Sequence, residues 1–157
     1  MDEKNSAIKI NILSPFVGAL SVQYESRINN DRSYQIGLNY FSGEILKTYI
    51  GIKGFVFTPE YRFYFRDFKN MRGFYVQPFL RYGEFWDNKS NTIKMMGTGY
   101  VLGLQNVFFK KIVIDLYLGP LYTKFFDNNN LINSRGQNIQ DPEGLWIRGG
   151  ITVGYLF

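Results

Sequence analysis

The sequence predicts an all-β fold: an eight-stranded antiparallel up-and-down transmembrane β-barrel. It forms a single domain over residues 1–157, with 1–6 as an N-terminal tail. Three observations carry this. Apolar and polar residues alternate in eight segments, most of them long enough to cross a bilayer, which takes about 9–11 tilted residues. Short and long connections alternate along the chain. Aromatics make up 18% of the residues and glycines number 16, a usage that favours strands over helix bundles. No run approaches the ~20 apolar residues of a membrane helix, and a mean hydropathy of -0.19 suits strands with one polar face.

The segments run 7–14, 20–29, 33–42, 54–65, 73–86, 97–109, 112–126 and 144–157. The first carries Lys9 on its polar face. The second sets Leu20, Val22, Tyr24, Ser26 and Ile28 against Ser21, Gln23, Glu25, Arg27 and Asn29. The third sets Tyr34, Ile36, Leu38 and Tyr40 against Gln35, Gly37 and Asn39. The fourth opposes Phe57, Pro59, Tyr61, Phe63 and Phe65 to Thr58, Glu60, Arg62 and Tyr64. Polar faces continue with Gln77 and Arg81 in the fifth, Gly99, Gly103 and Gln105 in the sixth, and Asp115 and Gly119 in the seventh. The last, "GLWIRGGITVGYLF", places Ile147, Ile151, Val153, Tyr155 and Phe157 on one face and Arg148, Gly150 and Gly154 on the other.

"NNDR", "DFKNMR" and "KK" are short links, whereas "SGEILKTYIGIK", "DNKSNTIKMM" and "NNNLINSRGQNIQDPE" are long. Only the link around "SPFVGA" is short where a long one is expected. Short turns on one rim and long loops on the other is the bacterial outer-membrane pattern, and an even strand number brings both termini to the short-turn, periplasmic side.

Alternation leaves open which face is wet. A soluble lipocalin-like ligand-binding barrel would hold the Phe/Tyr face inside and show charged residues outside. Here nine of ten lysines fall in loops, tails or strand ends, Lys9 excepted. The polar face is instead built of glycines and of Gln23, Gln35, Gln77 and Gln105, which suit a crowded bore. Tyr40, Tyr82, Trp86 and Tyr122 near one rim, and Phe65, Phe74, Phe108 and Tyr155 near the other, match interfacial aromatic girdles.

Parity turns Lys9, Glu25, Arg27, Glu60, Arg62, Arg81, Asp115 and Arg148 inward, several of them at one level. Because desolvating an ion costs several kcal/mol, these charges need partners. A salt-bridged plug is expected, with Glu25 and Glu60 pairing among Arg27, Arg62, Arg81 and Arg148. A narrow ion or small-solute pore is the alternative.

The chain has no Cys and no His, which excludes disulfides, zinc sites built on either residue and Cys- or His-based catalysis. Arginines beside Glu25 and Glu60 keep both ionised, a poor state for a general acid. "GTGYVLG" lacks the spacing and the following helix of a nucleotide loop. "DNNN" at 127–130, with only Asp127 and Asp141 as acids nearby, is a weak calcium candidate, and "NKS" at Asn88 is a chance-level glycosylation match. The expectation is no enzyme, no cofactor and no bound metal. A net charge of +5 without a Lys/Arg-rich run gives no case for nucleic acid. No signal peptide is visible, and Met1 before "DEKNS" reads as a start methionine ahead of a mature N-terminus.

The eight alternating strands, the terminal "ITVGYLF", and the stretches "GFVFTPEYRFYF" and "GFYVQPFLRYGEFW" resemble the small eight-stranded outer-membrane barrels of Gram-negative bacteria, in particular a subgroup of uncharacterised barrels of this kind. The resemblance is architectural and spans nearly the whole chain. It implies that Tyr155 and Phe157 act as the insertion signal read by the barrel-assembly machinery, although Thr152 stands where that pattern has a glycine. It further implies contact with outer-membrane lipid and lipopolysaccharide, with Trp86 as an interface anchor.

Loops 42–53, 87–96 and 127–143 are the expected contact regions. Ile45, Leu46, Tyr49, Ile50 and Ile52 make the first apolar enough to meet an envelope protein partner. Lys47, Lys53, Lys89, Lys94 and Arg135 could meet lipopolysaccharide phosphates.

Overall fold

The computed structural model describes residues 5–42, 52–65, 71–88, 91–126 and 143–157. They form a closed antiparallel barrel of eight strands in sequence order: β1 (Ser6–Asn11), β2 (Ala19–Arg27), β3 (Arg32–Ser42), β4 (Lys53–Tyr64), β5 (Gly73–Trp86), β6 (Thr92–Phe108), β7 (Ile112–Phe126) and β8 (Gly144–Leu156). Closure joins β1 to β8 from Ala7↔Leu156 to Asn11↔Thr152. Ser6 and Phe157 exchange backbone bonds of 3.1 and 2.8 Å below that ladder, so Ser6 belongs to the barrel rather than to a tail.

Two strand boundaries depart from expectation, each for a local reason. β1 stops at Asn11 rather than at residue 14. Asn11 Oδ1 accepts from Leu13 N at 2.9 Å and Asn11 O from the Ser14 hydroxyl at 2.8 Å, and a 3-10 turn over Ser14–Val17 follows. Gly18, at φ 74°, then reverses the chain into β2. β6 begins at Thr92, because "TIKMM" pairs with β5 from Trp86↔Thr92 onward and buries Ile93 and Met95. The connection is therefore only 87–91, closed by Asp87, whose carboxylate accepts from Asn91 N at 2.9 Å and from the Asn91 amide at 2.8 Å. Lys94, expected in a loop, lies exposed in β6 opposite Glu84.

The barrel is polar inside and apolar outside. Lys9, Gln23, Glu25, Gln35, Thr58, Arg62, Gln77, Gln105 and Asp115 are buried. Leu20, Leu38, Leu80, Leu102, Leu118 and Phe74 are all more than half exposed on the outer wall. A lipocalin-like arrangement needs the reverse, so the soluble ligand-binding alternative does not fit this polarity. The aromatics expected near the rims, including Tyr40, Tyr82, Tyr122, Phe65, Phe108, Tyr155 and Phe157, face outward.

The bore is not uniformly polar. Tyr64, Tyr75, Phe79, Val101, Tyr117 and Leu121 pack as one inner cluster. Three of its rings lie opposite glycines in the ladder: Tyr75↔Gly103, Phe79↔Gly99 and Tyr117↔Gly150. The sites are matched in volume, because a Cβ on Gly103 would fall on the Tyr75 ring and one on Gly150 would lie 2.6 Å from Tyr117 Oη. Gly103→Ala should therefore destabilise the refolded barrel by ~1–3 kcal/mol, the usual cost of overpacking. In a Tyr75→Leu background, which removes the ring, the same glycine change should cost less. Equal urea midpoints for Gly103→Ala and the parent would show that the ring yields freely.

Candidate functional site

The inward charges occupy two levels of the bore rather than one. The lower level joins side chains from seven of the eight strands. Lys9 of β1 uses all three ammonium donors: Glu25 Oε2 at 2.6 Å, Gln105 Oε1 at 3.1 Å and Asp115 Oδ2 at 3.3 Å. Arg62 of β4 reaches Glu25 Oε2 at 3.1 Å, Gln105 Oε1 at 2.6 Å and Asp115 Oδ2 at 2.6 Å, and its Nε donates to Gln77 Oε1. The second Glu25 oxygen accepts from the Ser33 hydroxyl at 2.5 Å and the Tyr64 hydroxyl at 2.8 Å. The second Asp115 oxygen accepts from the Tyr75 hydroxyl at 2.6 Å, while the Arg62 guanidinium stacks 4.0 Å from the Tyr75 ring centre. Gln105 donates onward to Tyr64 Oη at 3.2 Å and Met71 O at 2.8 Å.

Two cations face two carboxylates here, all four with fully buried side chains. Such a network is fully satisfied, so it fixes the barrel instead of straining it. It also fills the bore with ion pairs where an eight-stranded barrel has room only for side chains.

The upper level is smaller and unbalanced. Arg148 of β8 donates to Glu60 Oε1 at 2.6 Å, and Gln35 donates to Glu60 Oε2 at 3.1 Å. The Arg148 guanidinium lies 4.3 Å from the Phe79 ring centre and 5.4 Å from that of Tyr117. Arg81 of β5 shares the electrostatic field of Glu60 and Arg148, but its buried Nε has no hydrogen-bond partner.

Most expected partners thus meet, in particular combinations: Glu25 with Arg62 and Glu60 with Arg148. Arg27 differs from its expected pairing. At the end of β2 its guanidinium folds over the adjoining turn, donating to Asn29 O at 2.9 Å and to Asn30 Oδ1. The sequence did not single out Ser33, Tyr75 or Gln105 as partners. Their parity was readable, but their height in the bore depends on the stagger between strands. Of the expected loop contacts, Lys47, Tyr49, Lys89 and Arg135 lie outside the described residues, as do Asp127, Asp141 and the apolar Ile45, Leu46 and Ile50. Lys53 opens β4 opposite Trp86.

Among the described residues the closing β1–β8 seam is shorter than the β7–β8 ladder. Above Asn11↔Thr152 the last bond across the closing seam runs from Ile12 N to Ile151 O at 3.0 Å. The β8 ladder to β7 continues up to Thr123↔Gly144. Leu145 and Ile147 there are 77% and 80% exposed, the barest large apolar residues in any strand.

Comparison with solved structures finds the same architecture. The crystal structure of the N-terminal β-barrel domain of Pseudomonas aeruginosa OprF matches with a TM-score of 0.60 at 14% identity, covering 100% of both chains. At that identity the likeness concerns the fold. No curated protein matches the chain. The model of the family described as "Protein of unknown function (DUF3575)" matches residues 1–157, and the chain belongs to that family.

Proposed function

We propose that this protein is a non-enzymatic outer-membrane β-barrel with a plugged polar interior, which works structurally or by binding a partner, as an accessory subunit of an envelope complex. The observation that carries the reading is the inverted polarity: an apolar outer wall around a bore closed by the Lys9–Glu25–Arg62–Asp115 cluster. A wall of this kind is stable in lipid, where every backbone group must find a partner within the protein. The termini lie on the short-turn rim, the periplasmic side in this reading. Tyr155 and Phe157 serve insertion by the barrel-assembly machinery, and Trp86 anchors the opposite rim against lipopolysaccharide.

The partner surface is the long-loop rim together with the upper edge of β8. Bare Leu145 and Ile147 form an apolar patch there, the kind of surface that meets a partner. A photo-crosslinking residue at Ile147, used in the native envelope, should give one discrete protein adduct, while the same residue at Leu80 should give none. Lipid adducts alone at both positions would overturn the partner role. Single-channel recordings should show no large, stable conductance; such a conductance would replace the plugged barrel by a pore.

A further inference from the structure

We propose that the upper level of the bore is a binding site for a small inorganic anion, held between Arg81 and Arg148 above the lower ion-pair cluster. The lower level is neutral, with Lys9 and Arg62 set against Glu25 and Asp115. Among the described residues, the upper level sets two arginines against Glu60. Arginine cannot shed its proton in a protein, so the excess charge cannot be removed by titration in the way a buried lysine allows. An uncompensated ion costs several kcal/mol when taken from water. A mobile counter-ion would neutralise it.

The donors for that ion are in place. Arg148 uses Nη2 on Glu60, while its Nη1 is buried without a partner, in a side chain only 10% exposed. Arg81 Nε and the Thr58 hydroxyl, two residues from Glu60 on the same inward face, are also buried and unpaired. Native interiors leave few such groups, and an ion or water normally accounts for them. Phe79, Tyr117 and Leu121 occupy the neighbouring bore, which restricts the site to an ion of a few atoms at most.

The purified barrel in detergent, titrated with chloride, tests this through the chloride-35 NMR linewidth, which broadens when the ion is bound and exchanging. Saturable broadening, displaced by nitrate, is expected for the parent. Arg81→Met balances the level and should weaken chloride binding by about tenfold or more, while Glu60→Gln raises the excess charge and should tighten it by a similar factor. The thermal midpoint in chloride relative to gluconate, at fixed ionic strength, should follow the same order. Absence of saturable broadening in the parent overturns the proposal, as does an affinity in Glu60→Gln equal to or weaker than the parent's. The Glu60→Gln result decides even where Arg81→Met does not refold.

Discussion

Replacing Arg62 by methionine should cost the refolded barrel ~3–5 kcal/mol, the largest loss expected of any single bore substitution, because breaking a buried ion network strands the charges left behind. Arg62 holds Glu25, Asp115, Gln105 and Gln77 at once. Without it, two buried carboxylates face the single ammonium of Lys9. Methionine keeps much of the volume, so the loss reports charge more than cavity. Arg62→Lys retains the charge but gives up the planar fork, and it should lose only the hydrogen bonds it cannot make. Adding Glu25→Gln to Arg62→Met leaves Lys9 against Asp115 and keeps an acceptor for Ser33 and Tyr64, so stability should recover in good part. Urea-unfolding midpoints in one lipid or detergent system check the order: parent, then Arg62→Lys, then the double variant, then Arg62→Met. A double variant weaker than Arg62→Met would show that hydrogen-bond loss, not charge imbalance, governs this layer.

The strands were legible because the two faces of this wall differ so sharply. In β2, β3 and β4 the expected parity matches the buried positions residue by residue, from Ser21 through Gln35 to Arg62. Where one side chain serves the turn instead of the sheet, parity fails. Asn11 ends β1 by bonding to its own link, and Arg27 folds onto residues 29 and 30. The start of β6 was hidden because Thr92 and Lys94 are polar on the outward face near the rim, where lipid no longer demands apolar residues.

Height in the bore was the larger omission. Alternation assigns a face but no level, and the stagger that closes a barrel decides which levels meet. That is why Glu60 and Arg148, 88 residues apart, bond in the upper layer while Asp115 of the adjacent β7 belongs to the lower one. A partial signal was present in the glycines. Each inward ring among Tyr75, Phe79 and Tyr117 has a glycine across the ladder, so inner aromatics and inner glycines occur as volume-matched pairs. Counting those glycines only as small bore residues missed the aromatic cluster they accommodate.

The solvent of the outer wall decides the biological setting, and Leu80→Arg and Leu118→Arg should separate the choices by the size of their effect. Both leucines point outward near the middle of their strands, at 61% and 62% exposure. Leu80 sits between outward Phe74 and Tyr82, and Leu118 between outward Ile112 and Tyr122. If the wall meets hydrocarbon, an arginine at this depth costs ~2–4 kcal/mol, whereas Phe109→Arg in the turn between β6 and β7 costs no more than ~0–1 kcal/mol. If the wall met water, each arginine would replace a bare apolar side chain by a hydrated one, with an effect within ~0.5 kcal/mol at all three positions. The measurement is the urea midpoint for folding into phospholipid vesicles. Its informative quantity is the difference between the mid-wall and turn positions, since that difference cancels the general effect of adding a positive charge. The bore network of each variant is untouched, because these side chains lie on the far side of the sheet from Arg62 and Glu25. A mid-wall cost of 2 kcal/mol or more, with a near-silent turn, would therefore measure lipid contact directly.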